Sequence, residues 1–317
     1  MGAYIIKRLI YAIPTLLGVS MLIFVVMRVL PGDPLTVMYG TQVVSIRPED
    51  RVRIEQELGI SDPLVVQYAS WLKDIGKGEL GTSFWRNDTV ADLVKRRGPL
   101  TLEIALLAIV ISWLVGIPVG IVSALKQNSL LDYAARLFTV TFLAIPSFWL
   151  AALIALALVL KWGYAAPLGT IDFWENPKQN LQIVWGPSVT LGLAVSAYIA
   201  RMTRSTLLEV IREDYVRTAR AKGLSERIVV LRHALRNALL PVITLSGVLF
   251  GFLLGGTVVV EQAFNVPGLG RAMIDAITEL DYIVIQNLVL LYACTFVFIN
   301  LITDISYAVL DPKIRYS

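Results

Sequence analysis

Six apolar runs dominate this chain, at about 9–30, 100–124, 137–160, 187–207, 241–262 and 284–309. A helix needs about 20 apolar residues to cross the hydrocarbon core of a bilayer. Inside that core the backbone N–H and C=O groups have no water to bond, so each run has to be helical. A chain with six such runs has few folds open to it, and we expect an all-α polytopic membrane protein. Composition agrees. Hydrophobic residues make up 56% and charged residues 16% of the chain, against about 25% charged in an average soluble domain. Pro118 and Pro146 fall inside the second and third runs. Packed membrane helices tolerate proline where neighbours satisfy the freed carbonyls, so both are expected to mark kinks. The first run carries Lys7 and Arg8 but is too long, and lacks the small-residue cleavage site, for a cleaved signal peptide; it is expected to be a retained span.

The net charge of +4 could suggest a nucleic-acid partner, but in a membrane chain it is better explained by the bias of Lys and Arg toward cytoplasmic loops. With the N-terminus inside, the inner side holds Lys7, Arg8, Lys126, Arg136, the basic residues from Arg201 to Arg236, Lys313 and Arg315, whereas the short outer loops hold Lys161, Lys178 and Arg271. Both termini are therefore expected in the cytoplasm. The domain plan that follows is 1–30 for the N-terminus and first span, 31–99 for an outer segment, 100–310 for the core with the other five spans, and 311–317 for a cytoplasmic tail. In the outer segment, Pro48, Glu49, Asp50 and Gly59 suit the two ends of one helix. Asp62-Pro63 can begin another, with Leu64, Tyr68, Trp71 and Ile75 on one face and Gly76 after it.

Several sites are excluded. Gly76 and Gly81 have the spacing of a phosphate loop, but Thr82 stands where the lysine is required. Any ATP that drives this chain must be bound by another. Cys294 is the only cysteine and His233 the only histidine, which argues against a disulfide, a Cys- or His-based metal site and a Ser-His-Asp triad; Cys294 itself is expected to be a buried apolar residue of a span. Gly247, Gly251 and Gly255 line one face of the fifth run at intervals of four, as for close helix packing or a sliding, gating contact. Asn300 and Asp304 are polar residues in the sixth run; Asp304 lies near the inner end, where it can pair with an arginine.

Residues 208–240 concentrate positive charge between two greasy spans. The first part, about 208–222, is expected to be one helix stopped at Gly223, the natural residue for a left-handed helix end. Ser225 can cap a second helix with Glu226 in its first turn. Leu224, Ile228, Leu231, Leu235 and Leu239 would form its apolar stripe, with Arg232 and Arg236 beside it. Such a hairpin can lie on anionic lipid. It can also act as a lever that enters a groove on a cytoplasmic protein, which accounts for the glycine hinge and the mixed-in acidic residues.

The segment resembles the cytoplasmic EAA loop of ATP-binding-cassette importer permeases, E-A-A-x3-G-x9-I-x-L-P. Gly223 takes the glycine position, Ala219 the second alanine and Leu235 the leucine. Arg217 and Thr218 replace the Glu and first Ala, while His233 and Arg236 stand at the Ile and Pro positions. "DYVRTARAKGL" followed by "RHALRNALLPV" is similar to the dipeptide/oligopeptide (and nickel) subfamily. So are "RVLPGDP", "LGISDPLVVQYASWLKDIGKGELGTSF", "IPSFW", "VVVEQAFNVPGLG" and "YAVLDPKIRYS", in order along nearly the whole chain. The long segment between the first two spans resembles the first of the two non-identical permeases of such systems.

The resemblance implies a type I importer permease in a prokaryotic cytoplasmic membrane, without an ATPase site or cofactor of its own. Its implied partners are a homologous second permease, two cytoplasmic P-loop ATPases that bind ATP, an extracytoplasmic peptide-binding protein and the bilayer; no nucleic acid is implied. Residues Arg217–Arg227 would form the coupling helix. Gly223 would permit its turn, Ala219 and Leu224 would fill the ATPase groove, and Arg217, Arg220, Glu226, Arg227 and His233 would complete the coupling segment. A permease for a nickel chelate or another small solute has the same architecture. A secondary transporter is disfavoured by the missing mid-membrane charges and internal repeat, and an intramembrane enzyme by the missing catalytic motif.

Overall fold

The computed structural model describes residues 2–29, 61–83, 85–86, 88–164, 167 and 169–310, with the helix at 48–59 expected from the sequence lying outside them. Among the described residues the chain is helical apart from turns and one isolated bridge between Thr82 and Thr89. Five helices are long and apolar enough to cross a membrane: α1 (Gly2–Val29), α3 (Val90–Leu125), α6 (Pro177–Val210), α9 (Leu235–Ala263, preceded by a short helical lead) and α11 (Tyr282–Leu310). The expected third span is two helices, α4 (Leu130–Ala144) and α5 (Ser147–Trp162), bent by 103°. Pro146 sits at the break and begins α5 with its ring-fixed φ of −61°, so the expected kink is a full break between two helices. Pro118, by contrast, is accommodated inside α3.

α3 and α6 form the centre of the bundle. Each begins about ten residues before its apolar run, because each carries a strong start signal there. Thr89 Oγ1 accepts from Asp92 N at 3.1 Å, and Asn176 Oδ1 accepts from Gln179 N at 3.2 Å just before Pro177. The two helices approach through small residues. A Cβ on Gly116 would sit 2.6 Å from the Ser196 carbonyl oxygen, and one on Gly120 would sit 2.6 Å from that of Ala200. Around this contact lies the main core, with Ile104, Ala105 and Ala108 of α3 and Ile183, Val184 and Ile199 of α6.

The cap helix α2 (Leu64–Lys77) begins where Asp62-Pro63 predicts. It runs through Gly76 and ends at Gly78, whose φ of +84° lets Gly78 N bond Ile75 O at 2.9 Å and Glu79 N bond Asp74 O at 2.9 Å. Tyr68 and Trp71 pack on Phe24 of α1, and Trp71 Nε1 donates to Asn287 Oδ1 of α11 at 3.2 Å. Leu64, assigned to the same face, is instead exposed. A short helix α10 (Leu269–Thr278) joins α9 to α11 at this same end of the bundle. The loop before α3 is pinned to it. Arg86 Nη2 meets Glu279 Oε1 at 3.0 Å and Asp275 Oδ2 at 3.4 Å. Burial opposes the charge of Arg86, but the two carboxylates outweigh it and hold the guanidinium above its ordinary pKa.

Candidate functional site

The hairpin between α6 and α9 has a buried base and an exposed tip. Its first arm is α7 (Asp214–Ala221), an eight-residue helix. A single helix over 208–222 was expected. The structure breaks it: α6 stops at Val210, and Arg212 N and Glu213 N bond back to Glu209 O and Val210 O, each at 3.1 Å. The turn lets Val216 and Ala219, 0% and 5% exposed, fold onto Ala124 and Leu207 at the ends of α3 and α6. Val229, Ala234 and Ala238 complete this small core. Thr206 Oγ1 donates to the Ala238 carbonyl at 2.8 Å, and Asn237 Nδ2 to Tyr215 Oη at 2.7 Å, so both arms are tied to the spans and to each other.

Gly223 makes the tip turn. Its φ is +79°, its N–H bonds Arg220 O at 2.9 Å, and a Cβ placed on it would meet nothing within 4 Å. The position therefore asks for glycine because of backbone conformation, with space to spare. Across the turn Arg220 grips Glu226 with two bonds, Nη2–Oε1 at 2.7 Å and Nε–Oε2 at 3.0 Å, and this bond holds Arg220 above its ordinary pKa. Arg217 pairs with Asp214 at 3.3 Å. Ser225 does not cap by its side chain; only its carbonyl serves, accepting from Ile228 N and Val229 N.

After one helical turn, α8 (Glu226–Ile228), residues Val229–Ala234 form a π-helix in which Leu235 N bonds Val230 O. A π turn holds one residue more than an α turn. That extra residue rotates the chain before it by about 100° relative to α9. The predicted leucine stripe is displaced as a result. Leu224, Ile228 and Leu231 are 37%, 43% and 50% exposed, while Val229 and Val230 take the buried positions. Arg217, Arg220, Glu226 and Arg227 are exposed on the same hairpin, and His233 is half-buried within the π segment. Ala219, assigned to a partner's groove from its sequence position, is packed inside the hairpin's own base.

Of the three glycines on α9, Gly247 abuts Thr303 and Gly251 abuts Phe296, both on α11, closely enough to leave no room for a methyl. Gly255 is exposed with open space around it, so the close contact is made by two of them. Asp304 does pair with an arginine, Arg8 of α1, at 3.1 Å. Cys294 lies on an exposed face of α11, contrary to the expected burial.

Three buried carboxylates were not singled out from the sequence: Asp132, Glu261 and Asp281, the last accepting from Ser83 Oγ at 2.5 Å. Asp132, fully buried at the start of α4, accepts from Ser123 Oγ at 2.6 Å, Asn128 N at 3.0 Å, Arg204 Nε at 3.4 Å and Arg136. It gathers α3, α4 and α6 just beside the hairpin. At the opposite end Glu261, also fully buried, accepts from Thr101 Oγ1 at 2.7 Å and Arg271 N at 3.0 Å, and Thr101 in turn receives Leu269 N at 2.8 Å. Glu261 thus closes the N-terminus of α10 with acceptor oxygens for backbone N–H groups that have no partner within the helix. "VVVEQAFNVPGLG" carried this residue, but only the fold brings Thr101 to it.

Residues 116–316 match the family described as binding-protein-dependent transport system inner membrane component, and residues 1–105 match its N-terminal companion. The oligopeptide transport system permease protein AppB of Bacillus subtilis (strain 168) is 40% identical over 319 residues, covering 100% of both chains. The glutathione transport system permease protein GsiC of Salmonella choleraesuis (strain SC-B67) is 40% identical over 317 residues, covering 99% of both. In three dimensions the chain resembles the inward-facing MetNI methionine ABC transporter, with a TM-score of 0.56 at 18% identity over 69% of this chain and 96% of that one. That likeness shows the type I permease fold. With its apolar spans, its hairpin and these matches along its whole length, the chain belongs to the multi-pass permease subunits of binding-protein-dependent ABC transport systems.

Proposed function

We propose that this chain forms one half of the translocation pathway of an ATP-driven importer of di- and oligopeptides, and that the hairpin tip docks on a cytoplasmic ATPase. The peptide reading is supported by full-length likeness to permeases named for oligopeptide and glutathione transport. The observation that carries the docking is the exposure of Leu224, Ile228 and Leu231 on the same short hairpin as the exposed Arg217, Arg220 and Arg227, above a base fixed to three spans. An apolar centre with a charged rim is the anatomy of a protein-binding surface. In this arrangement both termini and the hairpin lie in the cytoplasm of a prokaryotic inner membrane. Residues 31–99 lie outside, the 100–310 core faces a second permease, and two ATPases and a peptide-binding protein complete the system. When the ATPases close on ATP, they select between two packings of the spans through the hairpin.

Gentle purification of the tagged chain from its own membrane, with mass spectrometry of what accompanies it, tests the assembly. A second six-span permease and P-loop ATPases are expected; a chain recovered alone, under conditions that keep a known transporter of this type intact, overturns the proposal. A Leu224→Cys variant in a Cys294→Ser background should crosslink to the ATPase, and Ala219→Cys, being buried, should not.

A further inference from the structure

At the hairpin end of the bundle a cavity of ≈ 210 Å³ lies between α3, α4 and α6, with Arg136, Arg201 and Arg204 in its lining and no acidic residue there. The one carboxylate bonded to these arginines, Asp132, is fully buried and has to be shared. Arg136 Nε at 3.1 Å and Arg204 Nε at 3.4 Å both donate to its Oδ1, so two guanidinium groups stand side by side on a single oxygen. Arg136 Nη2 also bonds Asp132, and Arg204 Nε also bonds Ser123 Oγ at 2.9 Å. Among the described residues this leaves Arg136 Nη1 and both Nη atoms of Arg204 without an acceptor. None of the three is a buried orphan, and the two side chains are 43% and 29% exposed, so these N–H groups are open to an incoming ligand. Arg201, one turn before Arg204 on α6, is exposed and has no ion pair among the described residues; its guanidinium carbon lies 6.0 Å from the Tyr198 ring centroid. Three positive charges against one negative charge call for an anion.

The surroundings point to its source. Val140 lines the cavity and is itself exposed, and with Tyr133 and Leu137 it forms one exposed stripe of α4 at spacings of four and three. Arg136 lies against this stripe, its guanidinium carbon 5.4 Å from the Tyr133 ring centroid. Apolar residues that meet a tyrosine and arginines near the end of a span mark headgroup depth. The cavity and the stripe adjoin, so one molecule can place a phosphate in the first and an acyl chain along the second. We infer that this cavity binds the phosphate of an anionic phospholipid from the hairpin-side leaflet. The free Nη groups of Arg136 and Arg204 donate to the phosphate oxygens, and Arg201 supplies the positive charge that no carboxylate balances. A choline lipid carries the same phosphate, but its quaternary ammonium is repelled by the arginines, so the site separates the two. The site is independent of the transported solute.

The test uses the intact complex, stripped of lipid in detergent and titrated with short-chain phosphatidylglycerol or phosphatidylcholine, bound lipid being counted by native mass spectrometry. The glycerol lipid should bind more tightly by about tenfold or more, as expected for an anion facing an excess of two positive charges. Arg136→Gln and Arg201→Gln should each reduce that preference by about fivefold, the effect of one basic residue near an anionic lipid. Arg201→Lys keeps the charge and should keep most of the preference. Lys126→Gln removes an equal charge at the same end of the bundle but outside the lining, and should leave the preference unchanged. Equal affinity for the two lipids, a preference that survives both Arg136→Gln and Arg201→Gln, or an equal fall in Lys126→Gln overturns the inference. Inorganic phosphate and alanyl-alanine offer an anionic group in solution. Failure of both to displace the lipid supports a lipid site, and displacement by either at lower concentration than the lipid itself assigns the cavity to a soluble anion and overturns the lipid source.

Discussion

Replacing Gly223 by valine isolates what the hairpin turn requires. The φ of +79° lies in the left-handed region, where an L-residue costs roughly 1–2 kcal/mol and a β-branched one falls at or above the upper end. A Cβ there meets nothing within 4 Å, so no steric term adds to the backbone term. The strain is concentrated on one weakly held element. The Arg220–Glu226 pair that spans the turn is exposed, and such pairs contribute only about 0–1 kcal/mol after screening. About 2 kcal/mol of strain therefore lowers the ratio of native to rearranged tip by roughly thirtyfold. The buried base and the spans stay as they are, so Gly223→Val should insert normally while transport coupled to ATP hydrolysis in proteoliposomes falls, by at most about one and a half orders of magnitude. Gly223→Asn supplies the control, because asparagine tolerates the left-handed region, and it should recover most of the transport. If asparagine proved as damaging as valine, or if valine transported normally, backbone conformation would not be what the turn demands.

Three further outcomes separate the packing contacts. Gly120→Leu drives a side chain into the Ala200 carbonyl and should lower stability by about 1–3 kcal/mol or more in a detergent melt, whereas Gly255→Ala should stay within about 0.5 kcal/mol. Asp132→Ala strands the buried Ser123 hydroxyl and the Asn128 N–H, at about 1–3 kcal/mol for such a group, and should reduce Tm more than Arg136→Gln does. Asp304→Ala breaks a pair whose members are 27% and 48% exposed and should shift stability by less than about 1 kcal/mol.

The spans were legible because hydrocarbon imposes one rule on every residue of a run, and a count of about 20 apolar positions suffices to apply it. Gly223 was legible for a similar reason: few residues accept its backbone conformation, and glycine is the common one. The facing of the hairpin was not. Leucines at spacings of four, three and four read as one apolar stripe of a single α-helix, but the π turn at Val229–Ala234 has no counterpart in that spacing, and it breaks the stripe, leaving Leu224, Ile228 and Leu231 exposed. Nor could the sequence join Glu261 to Thr101, or Asp132 to Arg204, since each pair is brought together by helices that meet only in the bundle. The 103° bend at Pro146 lay between these extremes. The proline marked the place, and the angle came from packing.

The extra residue in the π turn separates two properties that a uniform helix would lock together. Which side chains α9 buries among the spans is fixed by its own phase from Leu235 onward. Which side chains the tip presents is fixed by a phase that one inserted or deleted residue within 229–234 resets by about 100°, while the part of α9 beyond Leu235 keeps its own phase among the spans. The hairpin behaves as a dial mounted on a fixed shaft. Descendants of this chain can therefore retune the surface they show to a partner by changing length at one place, leaving the membrane-embedded half of the helix under a separate and unbroken constraint.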